Sequence, residues 1–177
     1  EAILNGDLVW TDARVLDLIS TPGLTSAVPI LQRERLIAVM SLDISLSEIS
    51  RFLGSSPGLN ALSFIVDPQV GSIVAISDAG YLPGAGDGTA DDRFVLQEGG
   101  NARLINVNDL DDNLLSGALT ELGPVAPELL GGGSAEFPVR FEDQSFFSSF
   151  SRFPADSGWN WAIGMMVPQE VFLDQII

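Results

Sequence analysis

The sequence predicts an α+β fold: an antiparallel sheet with flanking helices, preceded by a partial second sheet. Three observations predict it. Apolar runs of strand length recur between breaks rich in Pro, Gly and Asp. Only two internal stretches, 45–53 and about 109–122, carry a helical apolar period. From residue 45 onward the order is helix, strand, strand, loop and helix, then three strands.

Each element has a local reason. Leu8-Val9-Trp10, Leu24 to Leu31 and Arg35 to Ile44 are apolar runs divided by Thr21-Pro22-Gly23 and Gln32-Arg33-Glu34. The third is nearly continuous rather than alternating, which predicts a strand covered on both faces. Ser45-Leu46-Ser47-Glu48 is a capping box, and Leu46, Ile49, Phe52 and Leu53 continue it at helical spacing until Gly54 and Pro57-Gly58. Ala61 to Val66 and Ser72 to Ser77 read as a hairpin joined through Asp67-Pro68-Gln69-Val70-Gly71. Asp78 to Asp92 is Gly-, Ala- and Asp-rich and reads as a long surface loop. A helix over about Asp109 to Leu122 is expected, capped by Asn108 and ended by Gly123-Pro124. Ala135 to Phe141, Ser145 to Phe153 and Trp159 to Val167 are strands, with Glu142-Asp143-Gln144 as the turn between the first two. Pro168-Gln169-Glu170 starts a last segment, Val171 to Ile177, that reads as a terminal helix. Five antiparallel strands with the helical segment inserted after the second is a PAS-like order.

Composition excludes whole classes of chemistry. Acidic residues outnumber basic ones 24 to 8, for a net charge of −16 over 177 residues. Every basic residue is Arg, and Lys, His and Cys are absent. No Ser-His-Asp triad, Cys-His pair, Schiff-base lysine or imidazole–thiolate zinc site can form. The negative balance repels a phosphate backbone, so nucleic acid is not an expected partner. A hydrophobic fraction of 46% is enough to bury a core. No apolar run reaches the roughly 20 residues of a membrane span.

Specific strings then carry a resemblance. Leu36 to Leu53 (LIAVMSLDISLSEISRFL) resembles the segment that closes the first module of double Cache sensor domains, with Leu36 or Ala38 where members often carry glycine. Ser63 to Asp67 followed by Gly71 to Ser77 resembles the opening of the second module. Gly158-Trp159, leading into a strand that ends Met165-Met166-Val167-Pro168, resembles its closing strand. The resemblance implies that residues 1–44 are the C-terminal strands of an incomplete membrane-distal module and 45–177 a membrane-proximal module. It implies a periplasmic, ligand-sensing ectodomain of a bacterial receptor, anchored by transmembrane helices outside these residues. The receptor's output would be a kinase, chemoreceptor or nucleotide cyclase domain. A small molecule such as an amino acid or amine is the implied partner, and a homodimer is an allowed assembly. No cofactor, resident metal or catalytic residue is expected.

The resemblance also places a site. Amino-acid-binding members carry an aromatic-x-Asp pair and a later Asp in the distal module, and Trp10, Asp12 and Asp43 fall at those positions, with Trp10 in place of the usual tyrosine. Carboxylates beside an aromatic face suit an ammonium group through charge-assisted hydrogen bonds and cation–π attraction. Local roles compete at the same positions: Asp12 can begin a turn, and Asp43 can favour the N-terminus of the following helix. Asp87 to Asp92 lacks EF-hand spacing and reads as a solvated acidic loop rather than a calcium site. Phe146, Phe147, Phe150, Phe153, Trp159 and Trp161 could line a pocket, with plain core as the weightier reading. Arg140 and Arg152 could hold an anion or pair with local carboxylates. Two rival classes stand beside sensing: a transmission or dimerisation module without ligand, and a hydrolase built on paired carboxylates.

Overall fold

The computed structural model describes residues 8–16, 21–55, 61–83, 94–98, 101–111, 113–123, 133–154 and 159–173. The Asp87–Asp92 stretch, Pro57-Gly58, Pro124, Gly158 and residues 174–177 lie outside them.

The N-terminal sheet is organised by β3 (Thr21–Gln32). It pairs antiparallel with β1 (Val9–Trp10) and β2 (Arg14–Leu16) on one edge and with β4 (Arg35–Ser45) along the other. The β3–β4 connection is a two-residue turn, with Arg33 and Glu34 at φ 50° and 64°. Both central residues of that turn type must be left-handed. The run of apolar residues in β4 predicted cover on both faces, yet all positions from Arg35 to Asp43 are exposed. Met40 and Leu42 are each 61% open. Among the described residues β4 has one ladder, to β3, and no layer over either face.

Ser45 ends β4 and caps α1 (Leu46–Gly54), its hydroxyl accepting from the Glu48 amide as the capping box predicted. Leu46 is fully buried and Ile49 and Leu53 pack on the core. Phe52, grouped with them by spacing, instead lies on the open flank. The Ser50 hydroxyl accepts from the Ile76 amide at 3.1 Å and so ties α1 to the next sheet.

After α1 come β5 (Leu62–Val66), β6 (Ile73–Ile76), the hairpin of β7 (Val95–Glu98) and β8 (Asn101–Leu104), and α2 (Leu114–Leu122). They are followed by β9 (Ser134–Phe141), β10 (Gln144–Arg152), β11 (Ala162–Pro168) and the short α3 (Gln169–Leu173). Five of these strands form one antiparallel sheet in the order β6-β5-β11-β10-β9, the PAS-like order expected. Its first and last strands, β5 and β11, are therefore neighbours at the centre. The Asp67 carboxylate accepts from the amides of Gln69 and Val70 to shape the β5–β6 turn, and Gly71 takes φ 75° at its end.

The core sits on this sheet. Phe150 stacks on Phe137 at 5.3 Å and meets Phe64 edge-on at 5.5 Å. Gly164 lets the rings pass: a Cβ there would lie 2.6 Å from Phe64 and 2.8 Å from Phe150. Two expectations are corrected. The second helix starts at Leu114, not Asp109, because Asn106 to Leu110 forms a separate 3₁₀ turn capped by Asn106, and Asn113 caps α2. The β7–β8 hairpin was not foreseen at all.

Candidate functional site

The two sheets meet through aromatic rings. Trp10 of β1 stands edge-on to Trp159 at 4.7 Å, and Trp159 stacks on Trp161 at 4.6 Å. Phe153 closes the group against both indoles, and its amide donates to the Trp161 carbonyl at 2.9 Å. These are the only 3 tryptophans in the chain. The register explains the meeting: Ala162 pairs with Val66, which brings Trp161 beside Asp67 at the end of β5.

Beside this cluster lies a cavity of about 210 Å³, lined by Asp12, Ala13, Asp67, Gln69, Val70, Ser72, Val74, Asn160 and Trp161. Its walls come from both sheets. Val74 and Trp161, 0% and 3% exposed, line it as well. Asp12 is an exposed side chain on the β1–β2 connection, and Asp67 is fixed by the two amides its Oδ1 accepts. At the rim the Arg152 guanidinium donates to Asn160 Oδ1 at 2.6 Å.

The three residues expected to form a site are placed differently from one another. Asp12 lines the junction cavity, and Trp10 belongs to the adjoining ring cluster. Asp43 does not join them: it accepts from the Thr25 hydroxyl at 2.6 Å on the open hairpin. Trp10 is in register with Ser26 and hence Leu42, one step from the Thr25–Asp43 pair. Alternation therefore puts Trp10 and Asp43 on opposite faces of the sheet. Asp67 and Asn160 were not anticipated. No local signal marks them, since the β5–β11 pairing brings them together and the packing of the two sheets brings them to Asp12.

A larger opening, about 580 Å³, lies over β9, β10 and β11 and is lined by Phe137, Phe147, Met165 and Val167 together with Ser149 and Glu136. It is wider but mostly apolar, whereas the junction cavity gathers convergent polar groups around an aromatic wall, which is the mark of a specific site. Phe146 and Phe150 are core, while Phe147 is half exposed. Arg140 is near the β9–β10 turn and Arg152 at the far end of β10, so they do not form one anion site. Arg103 pairs with both oxygens of Asp109, at 2.6 and 2.8 Å. That guanidinium, helped by the Asn106 amide, holds the Asp109 carboxyl below its ordinary value. Among the described residues no group of three or more metal-binding side chains occurs.

No family model and no curated protein matches this chain. Solved structures do. The sensory domain of the Campylobacter jejuni chemoreceptor Tlp3 with isoleucine bound superposes with a TM-score of 0.56 at 12% identity, over 95% of this chain and 51% of that one. The same domain with L-valine gives a TM-score of 0.56, again at 12% identity over 95% and 51% of the two chains. The extracellular domain of mmHK1S-Z3, assigned as a histidine kinase, gives 0.52 at 15% identity, over 99% and 54%. The chain spans about half the length of these structures. The likeness is one of fold: this chain has the α+β, Cache-type architecture of the sensory domains of chemoreceptors and histidine kinases.

Proposed function

We propose that this chain is the membrane-proximal part, with the last strands of the membrane-distal part, of a ligand-sensing ectodomain in a bacterial signal-transduction receptor. Residues 1–44 then belong to the distal module and 45–177 to the proximal one. The observation that carries this is the junction: two sheets joined by a ring cluster, with a polar cavity walled by both. A ligand held there, or in the distal module above it, changes the contact through which one sheet bears on the other. The sensory folds it resembles support the reading, as does the open β4. A strand with Ile37, Val39, Met40 and Leu42 all largely exposed is one whose covering layer is supplied elsewhere. Trp10, Asp12 and Asp43 remain the proposed ligand-facing residues of the distal strands, with Asp43 serving a cavity formed only when further strands pair with β4. Extracytoplasmic location follows from the same reading. No helix among the described residues is long and apolar enough to cross a membrane.

A thermal-shift panel of amino acids and simple amines tests this on the receptor's complete ectodomain and on this chain. A ligand that stabilises the complete ectodomain, with the gain reduced by Asp12→Asn or Asp43→Asn, supports it. A complete ectodomain that responds to none of the panel contradicts it. One observation favours a second reading, transmission without ligand: the Trp10–Trp159 contact links the sheets mechanically with no ligand present. Under that reading no compound shifts stability, but Trp10→Ala still uncouples the sheets.

A further inference from the structure

We infer that the junction cavity is a binding site for a small, net-cationic amine, held between Asp12 of the N-terminal sheet and Asp67 of the five-stranded sheet. The inference rests on the sensing reading and names a site and ligand class for it. Four features carry it. The cavity draws side chains from both sheets, with the buried Trp161 among them. Its volume, about 210 Å³, is below the roughly 300–1,000 Å³ of sites for drug-sized ligands, so the occupant is small. Among the described residues two carboxylates line it and no basic side chain does, so the site favours a net positive charge. The Trp161 indole in the lining, stacked on Trp159, adds an aromatic group that can attract a cation beside the charge-assisted hydrogen bonds the carboxylates can accept.

The hydrogen-bond inventory sharpens the class. One oxygen of Asp67 already accepts two backbone amides, which leaves the other for an ammonium N–H. Asn160 Oδ1 is engaged by Arg152, so that side chain offers the cavity its N–H donors. Gln69 and Ser72 add neutral polar groups. An ammonium with a neutral acceptor nearby, as in an amino alcohol, matches this lining. A zwitterionic amino acid matches it less well, because its carboxylate would meet the two carboxylates of Asp12 and Asp67, while the Arg152 guanidinium at the rim is engaged on Asn160. An amine bridging both walls would draw the two sheets together, which makes occupancy readable at a distance.

The test is a ¹H–¹⁵N chemical-shift titration of the full 177-residue chain with ethanolamine, isoleucine and calcium chloride in separate arms. The expected result is a saturable shift of the Trp161 indole and Asn160 side-chain signals by ethanolamine. Asp12→Asn and Asp67→Asn should each weaken it about tenfold or more, since a hydrogen bond to a charged group is lost. Asn at position 67 keeps the oxygen that shapes the turn, and Asp12 is exposed, so one of the two variants folds. Asp143→Asn, in the distant β9–β10 turn, should leave the titration unchanged. Equal or tighter binding of isoleucine at these signals overturns the ligand class. Calcium shifting them where ethanolamine does not overturns it too. Binding that moves only other signals overturns this site while leaving the sensing reading standing. No response to any arm overturns the site, and the complete-ectodomain panel then decides the sensing reading separately.

Discussion

Trp10→Ala is the perturbation that weighs the junction directly. A fully buried Trp→Ala change costs about 3–5 kcal/mol. Trp10 is half-buried and meets one ring edge-on at 4.7 Å, so about half of that range, ~2 kcal/mol, is expected. For a domain of this size each kcal/mol moves Tm by about 2–4 °C, which gives a fall of about 4–8 °C. Tryptophan fluorescence is the assay, because all 3 tryptophans sit in this one cluster and emission reports nothing else. Trp161→Ala should cost more, since Trp161 is 3% exposed and stacked at 4.6 Å. Leu8→Ala, at a mostly exposed side chain outside the cluster, should cost under about 0.5 kcal/mol. The reasoning fails if Trp10→Ala melts within a degree of the unmodified chain, or if Leu8→Ala costs more than it does.

Gly164→Ala should destabilise by about 1–3 kcal/mol in chemical denaturation, because its Cβ would press on the fully buried Phe64 and Phe150 rings; a neutral result would mean those rings can shift. Ser45→Ala should lose about 1 kcal/mol with the α1 cap, and Ser45→Asp should keep most of it, as read by urea midpoints. The depressed Asp109 carboxyl stabilises the fold above its ordinary value of 3.8, and that contribution is lost as pH falls through the lower folded value. Asp109→Asn should therefore cost up to about 1 kcal/mol at pH 7, the guanidinium being 43% exposed, and the gap should narrow as pH falls through the lowered folded value; a gap that does not change with acidification contradicts the ion-pair account.

What the sequence made legible was local. Ser45 and Glu48 announce α1 by themselves, and Asp67 and Gly71 announce their turn, because each signal lies within a few residues of what it shapes. The start of α2 was misplaced for the opposite reason. Asn108-Asp109 resembles a helix cap, but the Asp109 carboxylate is taken by the Asn106 amide and by Arg103 of β8. The β7–β8 hairpin was missed although Gly99-Gly100 lies between two four-residue runs, a usable signal for a turn. The apolar run of β4 correctly predicted a strand, yet hydrophobicity says what a strand can bury and not whether its cover is present. Of the site, Asp12 was legible and Asp67 and Asn160 were not: their approach depends on a pairing between segments nearly a hundred residues apart.

Residue-resolved hydrogen exchange on the complete ectodomain, with and without a saturating ligand, tests the sensing account most directly. Ligand should change protection at residues 9–12 and 159–162 together, because the ring cluster joins the two sheets there. The alternate amides of β4 that face away from β3, which pair with no strand among the described residues, should be protected in the complete ectodomain. A ligand that binds tightly while leaving both junction segments unchanged would contradict the claim that this contact carries the signal.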